Sequence, residues 1–428
     1  MKDLLAWRKS KRRKPLILNG ARQVGKTWLL KEFGRTAFDN IAYVNLDGNP
    51  AMSEQFEAGY NIDRILSAIQ FETGEVIREG STLIILDEIQ ACPKALTSLK
   101  YFCEDAPGCF IAAAGSLLGI TVHEGTGYPV GKVNTLDLYP LNFPEFLDAT
   151  GNQNLRHLIE SGDVTLINSF ASRLTPLLRQ YYYVGGMPEA VSAFMEDGLL
   201  EDARDVQNQI LLGYERDISK HLGGRESEYA IAAFRSIPTH LGQENKKFVF
   251  GHIAQGARAT NYRSGITWLE QAGIVVRVPR ISKPDVPLKA YANNSSFKLF
   301  LVDIGLLSAM AELNKETVIG GSAIFEEFKG ALTEQFICQQ LISACACTPH
   351  YWSAENSTGE IDFLVQNGSD VCAIEVKASE NLRSKSLRAF KDRHPEVQAV
   401  RFSLSGYREQ DWMRNIPLYA ATNRALWT

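Results

Sequence analysis

The chain has 428 residues, 45% of them apolar and 22% charged, with a formal net charge of −4. That length exceeds one ordinary core and predicts several domains, while the composition is that of a soluble globular protein with no apolar stretch of membrane-spanning length. The small negative charge excludes a protein that coats nucleic acid by bulk charge, so any nucleic-acid contact is regional.

The basic stretch "WRKSKRRK" (7–14) has the charge of a signal-peptide start, but the apolar run behind it, "PLIL", stops at Asn19-Gly20, so a cytoplasmic protein is expected. "PLIL" reads as a buried strand, and "KTWLLKEFG" as a helix that Gly34 ends. Between them "GARQVGKT" satisfies G-x-x-x-x-G-K-[ST] with Gly20, Gly25, Lys26 and Thr27. Glycines let backbone N–H groups approach phosphates, and a helix N-terminus adds its positive end. The expected cradle runs through Gly20, Ala21, Arg22, Gln23, Val24, Gly25, Lys26 and Thr27 to Trp28. Lys26 would reach the β- and γ-phosphates of ATP, and the Thr27 hydroxyl would serve Mg²⁺.

Another strand is expected at "IAYVNLD" and a third at "LIILDEIQ", which ends in Asp87 and Glu88. A strand that delivers an acid beside a phosphate loop is a Walker B arrangement, with Asp87 on the metal and Glu88 orienting the attacking water. "CFIAAAGS" and "VNTLDLYPL" complete a mostly parallel α/β sheet with nucleotide at the C-terminal ends of its strands. The extra strand resembles the AAA-type branch, in which a further strand separates the loop strand from the Walker B strand. Ser116 then takes the position of a first sensor reading the γ-phosphate, or is a turn serine.

Residues 151–222 read as helical. Gly186-Met187-Pro188 resembles the Gly-x-Pro turn in the lid of related ATPases, where the proline meets adenine, and is otherwise an ordinary helix entry. Residues 247–280 read as helix, turn, helix and strand, with Thr260 or Asn261 as cap and Gly273 as stop. This winged-helix pattern would put Arg258 and Arg263 on nucleic-acid phosphates, or would brace neighbouring domains.

"EEFKGALTEQFICQQLI" reads as a helix carrying Glu334, followed by strands "EIDFLVQ" and "VCAIEVKAS" joined by an Asn-Gly turn. Asp362, Glu375 and Lys377 give D…E-x-K, with Glu375 and Lys377 on one strand face. Glu334, Asp362 and Glu375 could hold a divalent metal while Lys377 serves the attacking water, or the pattern is a polar ribbon without catalysis. The seven cysteines (Cys92, Cys103, Cys109, Cys338, Cys345, Cys347, Cys372) contain no CxxC pair, and Cys345-Ala-Cys347 reads as a helix end rather than a metal clip.

"ILNGARQVGKT", "LIILDEIQ", "LYPLNFPEFL", "YYYVGGMPEAV", "KLFLVDIGLL", "EIDFLV" and "IEVKAS" stand in the order found in a group of bacterial and archaeal ATPases. The chain resembles these AAA-type ATPases with a C-terminal domain of unknown function over nearly its whole length. The resemblance implies an α/β P-loop ATPase (1–150), a helical lid (151–222), a winged-helix module (223–312) and a restriction-endonuclease-like α/β end (313–428). It departs where relatives carry Gly-Arg and this chain has Gly131-Lys132, since lysine cannot supply a bidentate guanidinium clamp. The expected activity is MgATP hydrolysis coupled to a nuclease-like domain acting on DNA or RNA. The alternatives are a nucleotide-switched binding or scaffold protein without cleavage, and a nuclease whose ATPase only gates access. A homo-oligomer is a candidate assembly, and no membrane partner is expected.

Overall fold

The computed structural model describes residues 1–115, 127–320, 326–354, 359–378 and 384–428, with only the backbone described at 326 and 327. The chain divides into two units, Met1–Tyr139 with Gln271–Gly273, and Pro140–Glu270 with Ile274–Thr428.

In the first unit every expected strand is present: β1 (Leu16–Asn19), β2 (Asn40–Asn45), β3 (Thr82–Asp87), β4 (Phe110–Ala114) and β5 (Asn134–Asp137). They form one parallel sheet in the order β2-β3-β4-β1-β5, so β4 separates the loop strand from the strand that ends in Asp87. Side chains alternate across it. Leu16, Leu18, Leu83 and Ile85 share a core with Leu4 and Trp7 of α1 (Lys2–Lys9) and with Leu30 and Phe33 of α2 (Lys26–Ala37). Ile17, Ile84 and Leu86 face α3 (Pro50–Glu57), α4 (Ile62–Thr73) and α5 (Pro93–Asp105). Burial on both faces is why these strands read as unbroken apolar runs. It also leaves the C-terminal ends of β1 and β3 as the polar edge of the sheet.

The second unit begins with α6 (Phe143–Ala149), α7 (Gln153–Ser161), α8 (Val164–Ser169), α9 (Ala171–Val184), α10 (Pro188–Asp197), α11 (Leu200–His221), α12 (Gly224–Arg235), α13 (Ile237–Leu241) and α14 (Ala259–Gln271). After β6 (Val275–Ile281) and β7 (Ala292–Leu301) come α15 (Ile304–Met310), α16 (Lys315–Gly320) and α17 (Glu326–Ser343). It ends with β8 (His350–Ser353), β9 (Glu360–Asn367), β10 (Asp370–Val376), α18 (Lys385–Arg393), β11 (Gln398–Ser403), β12 (Arg408–Glu409) and β13 (Arg414–Pro417). The hairpin β6–β7 joins the C-terminal strands in one eight-stranded mixed sheet, ordered β12-β13-β11-β10-β9-β8-β6-β7.

The helix expected at the start of 247–280 does not form. The Phe248 N–H donates to the Phe297 carbonyl (2.8 Å), and Phe248 stacks on Phe297, so this stretch is drawn out along β7. Only a short turn at Phe250–His252 remains, and Gly256 follows with φ 77°. Thr260 and Asn261 lie inside the first turn of α14 rather than ahead of it as caps, while Gly273 follows the helix in the left-handed conformation, φ 71°.

The turn at Gly185-Gly186 is fastened by the fully buried Asp303. Its carboxylate accepts from the Gly186 N–H (2.7 Å), the Leu306 N–H (3.0 Å) and the Gln339 side-chain amide (3.2 Å). A Cβ on Gly186 would lie 2.0 Å from the Leu141 carbonyl oxygen, so glycine is required by close approach. All seven cysteines are free thiols, five of them buried. Among the described residues no helix is long and apolar enough to cross a membrane.

Candidate functional sites

Gly20 leaves β1 at φ 148°, and a Cβ there would meet the Leu138 carbonyl oxygen at 2.3 Å. Gln23 and Gly25 also take positive φ (67° and 90°), and α2 starts at Lys26 without a side-chain cap. Its first N–H groups are therefore left for a ligand at the positive end of the helix. Ala21 and Val24 anchor the loop in the core, while Arg22 and Gln23 are exposed and Trp28 is 70% exposed. Buried Lys26 donates to the Gly20 (2.9 Å) and Ala21 (2.7 Å) carbonyls, so its ammonium lies within its own loop. Burial pulls that ammonium down to about 8, against the attraction of Glu88 and Asp87.

At the edge of the loop the Thr27 hydroxyl donates to Asp87 Oδ2 at 2.7 Å, and the Tyr43 hydroxyl donates to the same oxygen at 3.0 Å. Asp87 Oδ1 accepts the Glu88 N–H at 3.1 Å. Glu88 stands in the left-handed region, φ 50°, which a non-glycine residue adopts only under constraint, and its carboxylate accepts from the Gln90 side-chain amide. Sequence reasoning missed Tyr43, because an aromatic residue in an apolar strand reads as core. The pairing Asn45↔Asp87 puts β2 beside the Asp87 strand, and only that register brings the phenol to the acid. Burial and Asp87 push the phenol up to about 12, which keeps it a donor, and the Lys31 ammonium lies 3.6 Å from its ring centre. The cradle that a Cβ would fill, the uncapped helix start, the buried cation and the hydroxyl–carboxylate pair fit a nucleotide triphosphate with Mg²⁺.

In the second unit Asp362, Glu375 and Lys377 line one pocket of about 510 Å³ together with Lys246, Ser353 and Glu360. Lys377 lies 3.2 Å from Glu375 Oε1, while Glu375 Oε2 is buried without a hydrogen-bond partner. Asp362 Oδ2 accepts the Val376 N–H at 2.8 Å. Two lysines that the sequence did not single out decide the electrostatics. Lys246 pairs with Glu334 Oε1, and the fully buried Lys298, from β7, reaches Glu334 Oε2 (3.3 Å), Glu360 Oε1 and Asp362 Oδ1 (3.9 Å). Burial alone would lower the Lys298 ammonium, but Glu334, Glu360 and Asp362 raise it well above the usual lysine value. Burial would likewise raise Glu334, and the two lysines outweigh it and hold the carboxyl low. Burial and the Glu334 charge push Asp362 up to about 7 against the pull of Lys298 and Lys246. Both Glu334 oxygens are thus taken by ammonium groups, and among the described residues no group of three His, Cys, Asp or Glu side chains could hold a metal ion.

Ser116 lies outside the described residues. Pro188 opens α10 in the second unit, half-buried beside the turn that Asp303 fastens. Arg258 and Arg263 are exposed. Lys132 pairs with Glu104 at 2.8 Å.

A five-stranded parallel sheet of this order, with a glycine cradle after β1 and an Asp-Glu pair at the end of β3, makes the first unit a P-loop ATPase fold of the AAA type. Residues 12–147 match the family described as AAA domain, 175–317 the domain of unknown function DUF8612, and 329–420 the domain of unknown function DUF4143. No curated protein matches the chain. Among solved structures, the Walker-type ATPase PABY2304 of Pyrococcus abyssi is similar at 14% identity, over 72% of this chain and 94% of that one, with a TM-score of 0.45. Orc1 of Aeropyrum pernix in complex with DNA is similar at 15% identity over 73% and 90% of the chains, TM-score 0.26. The Holliday junction branch migration motor RuvB of Thermotoga maritima is similar at 15% over 65% and 88%, TM-score 0.30. At TM-scores below 0.5 these are distant likenesses.

Proposed function

We propose that the first unit binds and hydrolyses ATP with Mg²⁺, and that its nucleotide state is coupled to the C-terminal module. The coupling would run through a helical lid (151–222) and a winged-helix-like segment (223–312) to a restriction-endonuclease-like end (313–428) that engages DNA or RNA. The observation that carries the ATPase reading is the Thr27–Asp87 contact of 2.7 Å beside the Gly20–Thr27 loop. The loop N–H groups and Lys26 hold the phosphates, and Glu88 orients the attacking water. Mg²⁺, held by Thr27 and Asp87, would neutralise charge on the phosphate oxygens. Phosphate release from the wild-type protein tests this, with Lys26→Ala losing nucleotide binding and Glu88→Gln retaining it while turnover falls about 100-fold or more. Unchanged release from Glu88→Gln would overturn the assignment. The free thiols support a cytoplasmic setting, and a homo-oligomer would supply a trans arginine that Lys132 cannot replace.

Two readings of the C-terminal pocket follow from different observations. The approach of Lys377 to Glu375 and the orphaned Glu375 oxygen support phosphodiester cleavage at Asp362, Glu375 and Lys377. The two ammonium groups on Glu334 favour a binding module without cleavage, since they occupy the acid that a metal would need. Incubating supercoiled DNA, single-stranded DNA and RNA with Mg²⁺ or Mn²⁺, with and without ATP, separates them. Cleavage that disappears in Glu375→Ala and Lys377→Ala supports the first, and intact polymers support the second.

A further inference from the structure

The basic stretch 7–14 takes no part in the ATP site, yet it is built as firmly as the core beneath it. Leu4 and Trp7 bury the apolar face of α1, with the Trp7 ring 6.2 Å from Phe33 and 5.9 Å from Phe110. The Trp7 indole N–H donates to the Lys14 carbonyl (2.9 Å), which closes the segment between α1 and β1 into a loop. Within it the Ser10 N–H donates to the Trp7 carbonyl (3.1 Å), and the Arg13 N–H to the Ser10 carbonyl (3.3 Å). The last two cations are spent on the fold. Arg13 lies 3.5 Å over the Phe110 ring and donates to the Pro107 carbonyl (2.6 Å), and Lys14 donates to the Gly131 carbonyl (2.5 Å). Lys9, Lys11 and Arg12 are left exposed on the closed turn, and among the described residues no carboxylate pairs with them. Here three exposed cations are presented by a backbone already ordered, so binding a polyanion costs little further backbone entropy.

We propose that this turn is a docking surface for the phosphate backbone of nucleic acid, with Lys9, Lys11 and Arg12 as phosphate contacts. It names a contact surface for the nucleic-acid partner of the reading above, and so rests on that reading. Phosphate contacts of this kind give affinity and position without sequence preference. A membrane surface fits less well, because Leu4 and Trp7 of α1 are already buried in the core and leave only Leu5 of the helix's large apolar side chains exposed to enter lipid.

The test is fluorescence anisotropy of labelled duplex DNA and single-stranded RNA across a salt titration. It compares wild type with Lys9→Gln/Lys11→Gln/Arg12→Gln and with Arg258→Gln/Arg263→Gln. All five side chains are exposed, and unchanged ATP hydrolysis reports an intact first unit. The turn variant should lose at least about tenfold in affinity at physiological salt, and its log–log salt slope on duplex should fall by roughly 2.7, about 0.9 for each lost contact. Binding by wild type with an unchanged slope in the turn variant overturns the docking surface and leaves the nucleic-acid reading standing. No binding by wild type to either polymer overturns both. Wild-type binding to phosphatidylserine vesicles but to neither nucleic acid overturns the proposal in favour of a membrane surface.

Discussion

Replacing Lys298 by methionine keeps most of the side-chain volume and removes one charge that faces three acids. Lys298 is fully buried, 3.3 Å from Glu334 and 3.9 Å from Asp362, and paired with Glu360. Breaking a buried ion pair from one side costs about 3–5 kcal/mol, because the surviving charges stay in a medium that solvates them poorly. Two features pull the cost toward the lower end: Lys246 remains on Glu334, and the Glu360 side chain is 27% exposed and can be hydrated. A loss of about 3 kcal/mol follows, or roughly 5 °C in Tm, because the unfolding entropy of a unit this large leaves somewhat under about 2 °C per kcal/mol. The penalty should shrink as pH falls, since the uncompensated carboxylates then take up protons. Urea unfolding followed by tryptophan fluorescence and far-UV circular dichroism at several pH values measures it. A variant within about 0.5 kcal/mol of wild type at neutral pH, or a penalty that grows on acidification, would refute the reasoning.

Tyr43→Phe removes one of two hydroxyl donors on Asp87 Oδ2, a hydrogen bond to a charged group worth about 1.5 kcal/mol. The Mg²⁺ concentration for half-maximal ATP hydrolysis should rise roughly tenfold with a smaller change in kcat, and an unchanged Mg²⁺ dependence would show the phenol to be mere packing. For Asp362, the folded chain retains a proton up to about pH 7 that the unfolded chain releases near pH 4, so the stability it contributes is present below about 4 and lost as pH rises toward 7. Asp362→Asn should abolish that decline, seen as a urea midpoint whose difference from wild type changes across this window; a constant difference contradicts it. Gly186→Ala forces a Cβ to within 2.0 Å of the Leu141 carbonyl, and about 2–3 kcal/mol of stability should be lost. A loss under about 1 kcal/mol would mean that the backbone there yields freely.

The glycine loop and the Asp87 strand end were legible because their parts are local. Gly20 to Thr27 is one loop whose spacing states its own geometry, Asp87 and Glu88 end one apolar run, and burial of both sheet faces makes strands readable as unbroken hydrophobic segments. Asp362, Glu375 and Lys377 were legible for the same reason, since a hairpin and a period of two bring them together. The rest depends on contacts distant in sequence. Lys246 lies 88 residues from Glu334, and Lys298 lies 36 from it, so no local pattern could reveal that two ammonium groups hold that acid. The expected first helix of 247–280 yields to pairing with Phe297, a tertiary partner stronger than the local propensity. The basic stretch 7–14 shows only its charge in the sequence; Trp7, Phe110 and Gly131, brought together by the fold, make it an ordered turn. Spacing along the chain therefore determined which groups are chemically equipped, and packing decided which charges are neutralised and which remain available to a partner.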